Sequence, residues 1–256
     1  MSVRKFNKMY GWAAIILLVI LVAAYFIITR SGIGTLPSFV PATMAQPVGD
    51  LPISPNKSQP EQATFNNCPP DGLGGDKELN LLENRIDAGS YVPVSFDTIT
   101  RLTWPKSVEQ LELKDWPSDG RAFIAQYSGI PIAVEGYFGS VKEDAPSAAN
   151  CNINNSTNKD WSIFLTKNAR DELSTAVIVS VTPRVRASHS RWSLDLLRST
   201  IINDHLLVRV SGWLLFNPTR SQDVGKMRAT LWEIHPVMQI EVFSNGKWIT
   251  LDKFAE

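Results

Sequence analysis

Hydrophobic and polar residues alternate most regularly between His205 and Leu251. Leu206, Val208, Val210, Gly212, Leu214 and Phe216 fall on one parity, and Arg209, Ser211, Trp213 and Asn217 on the other. Period two marks a β-strand with one apolar face. The period returns at Trp232, Ile234, Ile240 and Val242, with Glu233, His235, Gln239 and Glu241 opposite. The polar segment Asn217 to Arg228 separates the two runs, so they read as a long-looped hairpin. Upstream, Ile132, Val134, Gly136 and Phe138 alternate against Glu135 and Tyr137, and Trp161, Ile163 and Leu165 give a second strand. Ala176 to Val181 is apolar nearly throughout, which fits a strand covered on both faces or set at a barrel junction. Ser190 or Ser193 can then cap a helix in which Leu194, Leu197 and Ile201 share a face.

This order, β-β-β-α-β-β over residues 129–256, predicts a mainly β domain, an OB-like five-stranded barrel. Glycines in strands one and four suit the sharp bends of a small barrel. An open antiparallel sandwich is the competing arrangement.

Different patterns precede it. Residues 10–29 hold an apolar run without a charge. A helix of that length rises about 30 Å, the thickness of a bilayer's hydrocarbon core. Arg4, Lys5 and Lys8 precede it and Arg30 follows, so residues 1–9 are expected in the cytoplasm and the rest in the periplasm or outside the cell. A cleaved signal peptide is the rival, but Ile28-Thr29-Arg30 is a poor cleavage site. Residues 30–66 hold six prolines between Pro37 and Pro60 and no apolar period, which predicts a disordered spacer. Residues 67–128 read as a helical and irregular extension packed on the barrel. In it Asp76 caps a helix bearing Leu79, Leu82 and Ile86, and Ser95 to Leu102 forms a helical turn.

Formal charge is zero overall, yet residues 1–30 carry four bases and no acid, so the remainder is mildly acidic. That argues against nucleic acid as a partner, since such binding rests on phosphate neutralisation. No phosphate loop, zinc knuckle or nucleophile elbow is present, and neither a cofactor nor a metal is expected.

Glu233 and His235 lie two apart on one strand, about 7 Å from each other on the same face. They are candidates for metal ligands or an acid–base pair, against the plainer reading that His235 bonds backbone at a bulge beside Pro236. Arg184, Arg186 and Arg191, with His189 and Trp192 interleaved, form the most basic stretch, a candidate receiver of a phosphate, a carboxylate or a single strand, and Trp213 is a further ligand-binding candidate. The same arginines also fit a solvated strand end. Cys68 and Cys151 would meet an oxidising compartment after export, so either a bridge or two free thiols is open.

Two stretches carry a resemblance. CPPDGLGGDKELNLLENR at 68–85, and VTPRVR at 181–186 with SGWLLFN at 211–217 and RATLWEIHPVMQIEV at 228–242, resemble an uncharacterised family of bacterial proteins. The resemblance implies an OB-like domain over about 67–243 and carries no catalytic residue. It also implies a histidine in relatives at the position of Ser162, so any metal site the family shares would lack that donor here.

The expected function is a membrane-anchored extracytoplasmic binding module, held in the bilayer by residues 10–29 and addressing a cell-envelope polymer or a protein. A nuclease-like hydrolase using Glu233, His235 and the nearby arginines is the alternative, and a surface assembly component the third.

Overall fold

The computed structural model describes Leu51 and residues 61–254. The segment 10–29 and nearly all of the expected spacer fall outside these residues. Among the described residues no helix is long and apolar enough to cross a membrane. The folded part starts earlier than residue 67: Gln62 bridges to Arg85, and Leu51 is buried in the core.

The alternating runs close into a barrel. A short parallel strand, β1 (Val92–Val94), lies outside β2 (Pro131–Glu143). β2 pairs antiparallel with β3 (Trp161–Thr166), and β3 with β4 (Val177–Val181). β5 (Leu207–Phe216) pairs antiparallel with both β2 and β6 (Trp232–Ser244), while β6 meets β4 in parallel. The pairing of β5 with β2 closes five strands and excludes the open sandwich. The result is mainly β and consistent with an OB-like barrel. Ile132, Val134, Ile163, Val179, Val210 and Ile234 belong to one fully buried cluster, as their shared parities require.

Local signals explain the remaining elements. Asp76 accepts from the Glu78 and Leu79 amides and starts α1 (Lys77–Glu83), and Ser95 does the same for α2 (Phe96–Thr100) through Thr98. α3 (Ser118–Ala125) follows Trp116-Pro117. Thr182 caps α4 (Pro183–Arg186), and Ser193 caps α5 (Leu194–Leu196), which runs into a π-helical turn, Leu197–Ile202. Trp116 meets Phe216 edge-on at 5.8 Å, and Phe216 meets Trp232 at 5.2 Å, so the extension packs where β5 ends and β6 begins. One strand escapes the alternation reading: β7 (Lys247–Thr250) folds back on β6, and α6 (Leu251–Phe254) follows. Asn245 and Gly246, both at positive φ, make that turn, the Asn-Gly pair that two-residue hairpins favour.

Cys68 and Cys151 are joined in a disulfide, with Cα atoms 5.7 Å apart and 83 residues between them in sequence. The bridge ties the extension to the loop between β2 and β3.

Gly212 faces the irregularity in β6. The β5–β6 register slips on both sides of it, because Gly212 pairs with Val237 while Leu214 pairs with Ile234. A Cβ there would stand 2.6 Å from the Ile234 Cγ2 and 3.0 Å from the Val237 Cα, and would also strike the Pro236 carbonyl. Gly212→Val is therefore expected to lower stability by about 1–3 kcal/mol. An unchanged urea midpoint would show that β6 can move aside.

Candidate functional site

The residues of the outward parity mix polar and apolar side chains, and they are covered. On β3 these are Ser162 and Phe164, on β4 Ile178 and Ser180, and on β6 Glu233 and His235. The register sets Ser162 opposite Ser180, and Val179 beside Ile234, so the three strands present one continuous wall. Leu79 and Glu83 of α1, the 144–147 segment, and the loop from Asn217 to Arg228 enclose a cavity of about 450 Å³ over that wall. The site lies outside the barrel, under its accessory elements, and the barrel interior is filled by apolar side chains.

Glu233 anchors the charged cluster. One oxygen accepts from Arg228 Nη2 at 3.0 Å, and the other from Asn217 Nδ2 at 3.2 Å. The same second oxygen stands 3.2 Å from His235 Nδ1. Arg228 also donates through Nε to the Thr230 carbonyl at 2.6 Å. The glutamate thereby fixes the histidine ring, and the arginine fixes the glutamate. Burial alone would raise the Glu233 carboxyl, but the hydrogen bond from His235 and the Arg228 charge outweigh it and hold the group at about 2. Burial would likewise lower His235, but the charge of Glu83, the hydrogen bond and charge of Glu233 and the charge of Asp160 push it up to about 9. At neutral pH His235 is an imidazolium, with Nδ1–H on Glu233 and Nε2–H buried without a hydrogen-bond partner.

Two further acids complete the cluster. Asp160 directly precedes β3; its Oδ2 accepts from Asn150 Nδ2 at 3.0 Å, while its Oδ1 is buried without a partner. Burial raises the Asp160 carboxyl, opposed by His235 and by that hydrogen bond. Glu83, at the end of α1, is half-buried at the cavity, and burial raises it to about 7 against the pull of His235.

A signed pH dependence follows. The stabilisation tied to His235 is complete below its unfolded value, 6.5, and is lost as pH rises through about 9. Glu83 acts in the same direction, since its raised carboxyl favours the folded state below 4.5 and loses that advantage through about 7. Glu233 acts oppositely: its contribution is present above 4.5 and is lost as pH falls toward about 2. Thermal unfolding of the detergent-solubilised protein should therefore occur at falling temperature between pH 5 and 9. A flat profile across that range would refute a charged, coupled cluster.

The structure places the sequence candidates unequally. Glu233 and His235 share the cavity, though His235 bonds the Glu233 side chain rather than backbone as the plainer reading had it. Arg184, expected to receive a ligand, is engaged inside the fold. Its guanidinium is buried and donates to Asn84 Oδ1, Asn150 Oδ1 and the carbonyls of Ala63, Cys68 and Pro69. Those bonds lock the disulfide region to α4. Arg186 is also committed: it donates to the carbonyls of Ser156, Thr157, Lys159 and Val181 and lies over the Trp161 ring. Trp213 is buried under the Arg85 guanidinium, its indole N–H on the Asp87 carbonyl, so it offers no face to a ligand. Arg191 is exposed and does not line the cavity.

Sequence reasoning missed Glu83 and Asp160 as site residues. The one available signal for Asp160 was parity, since it lies two positions before outward-facing Ser162. Among the described residues no cluster of histidine, cysteine and acids fits a metal ion. Comparison with family models, with curated proteins and with solved structures returns no match.

Proposed function

We propose that this protein is a membrane-anchored, extracytoplasmic OB-like module that binds a small polar ligand, or one unit of a cell-envelope polymer, in the cavity over β3, β4 and β6. The observation that carries this reading is the pair of unpartnered buried atoms, His235 Nε2 and Asp160 Oδ1, lining one cavity. A buried polar group left without a hydrogen bond costs free energy that a ligand can recover. The apolar run at 10–29 and the basic residues before it support the anchor and the export of the domain.

The hydrolase reading weakens at the same atoms. A general base must be unprotonated at working pH, and His235 is held as a cation by three carboxyl groups.

Thermal-shift measurements on the detergent-solubilised full chain test the proposal. Four classes of probe serve: neutral sugars, inorganic anions, alkyl amines and capped amino-acid amides. A ligand that binds only the folded state raises the unfolding temperature. The expected result is stabilisation by one class, abolished by Asp160→Asn. No cavity-dependent stabilisation by any class would overturn it. In the cell, external protease acting on spheroplasts should remove residues 31–256, and full protection would reject the topology.

A further inference from the structure

The charges around the cavity restrict what it can hold. Most of them are already matched in pairs: Arg228 with Glu233 at 3.0 Å, Lys142 with Asp144 at 3.6 Å, and Arg220 with Asp223 at 3.9 Å. Asp144 also accepts from the Ser162 hydroxyl. What remains is the His235 cation facing the Asp160 and Glu83 carboxyls. An anionic ligand would satisfy His235 and be repelled by both acids. A cationic ligand would do the reverse. Burying an extra unmatched charge in such a site is costly, whereas a neutral group brings no such penalty.

The hydrogen-bonding requirement narrows the choice further. His235 Nε2–H needs an acceptor, and Asp160 Oδ1 needs a donor. A hydroxyl supplies both from one oxygen, and neighbouring hydroxyls on a ring supply them in a fixed spacing. Ser180, adjacent on the wall by register, adds a hydroxyl able to give or take a bond, and Ser162, whose proton goes to Asp144, adds an acceptor. Phe164, Ile178, Leu79 and Met227 provide apolar surface in the same lining, suited to the C–H face of a sugar ring. The volume, about 450 Å³, lies within the range of small-molecule sites.

Resting on the binding-module reading, we propose that the cavity is a saccharide site, in which neighbouring hydroxyls of a neutral sugar unit bridge His235 Nε2 and Asp160 Oδ1, with Glu83 as a second carboxyl partner.

Titration calorimetry on the detergent-solubilised full chain tests this. The probes are the methyl glycosides of glucose, galactose, mannose and N-acetylglucosamine, with the β-1,4-linked disaccharides of glucose and N-acetylglucosamine. Inorganic phosphate, putrescine and N-acetylglycinamide are the comparison probes. At least one sugar should bind with a Kd below about 1 mM, and the three comparison probes should not. Asp160→Asn should weaken the sugar by roughly tenfold or more. Glu83→Gln removes a carboxylate that makes no hydrogen bond among the described residues, so it keeps the test open if the first variant misfolds; it should weaken binding several-fold while circular dichroism stays unchanged. Binding of phosphate, putrescine or the amide in place of sugars, lost in either variant, would overturn the saccharide assignment and leave the binding module standing. Sugar binding unaffected by both variants would overturn the site. No cavity-dependent binding of any probe would overturn both readings.

Discussion

Replacing Arg228 with alanine is expected to destabilise the folded protein by about 3–5 kcal/mol, the range for breaking a buried ion pair from one side. The two side chains of the pair are 4% and 3% exposed. Removal of the guanidinium strands the Glu233 carboxylate beside only His235 and Asn217, and frees the Thr230 carbonyl of its Arg228 Nε donor. Part of the penalty can be relieved by protonation of Glu233, so the loss should shrink below pH 4.5. Glu233→Gln added to Arg228→Ala should restore part of the stability, because the double variant no longer buries a Glu233 carboxylate that has lost its Arg228 partner. Arg228→Lys should fall between, keeping the charge and losing the forked geometry that reaches both Glu233 and Thr230. Urea midpoints of the four proteins at pH 7 decide the matter. A loss below about 1 kcal/mol for Arg228→Ala would mean that Glu233 finds another partner, and that the cluster is not the anchor of the cavity.

The barrel was legible because its strands keep their parity over most of their length, and parity survives burial of both faces. Ser211, Glu233 and His235 are buried although they share the outward parity, and Glu233 is hydrogen-bonded by Asn217 and Arg228 of the loop that covers it. The site was only half legible for a related reason. Glu233 and His235 declare themselves by a spacing of two on one strand. Asp160 and Glu83 reach them from just before β3 and from the end of α1, and nothing in KELNLLE says over which strand that helix will lie. The arginines misled in the opposite sense. Arg184 and Arg186 look like an anion-binding patch in sequence, but their partners are mostly backbone carbonyls and asparagine side chains of segments far away in the chain, which no local pattern records. β7 was within reach, since Asn245-Gly246 is a strong hairpin signal lying at the end of a strand.

Removal of the Cys68–Cys151 bridge should have an effect of similar size by a different route. The bridge closes a long stretch of chain, 83 residues in sequence separation, and a crosslink of that span lowers the entropy of the unfolded chain by about 4 kcal/mol in free energy. Its native surroundings are dense. Arg184 donates to the Cys68 carbonyl, Asn84 donates to the Ala149 carbonyl, and Asn150, next to Cys151, holds both Arg184 and Asp160. These bonds are formed only in the folded state, so they do not replace the constraint that the bridge places on the unfolded one. Cys68→Ser with Cys151→Ser should therefore lower the urea midpoint strongly while leaving the far-ultraviolet spectrum near that of the parent. The steepness of the transition is informative too. Release of the crosslink lets the unfolded chain expand, so the denaturant slope should rise. Because Asn150 borders the bridge, the double variant should also loosen Asp160, and hydrogen exchange at residues 147–162 should quicken more than at β5. An unchanged midpoint, with the parent protein verified as bridged by mass spectrometry before reduction, would show that the unfolded chain was already held compact across this span.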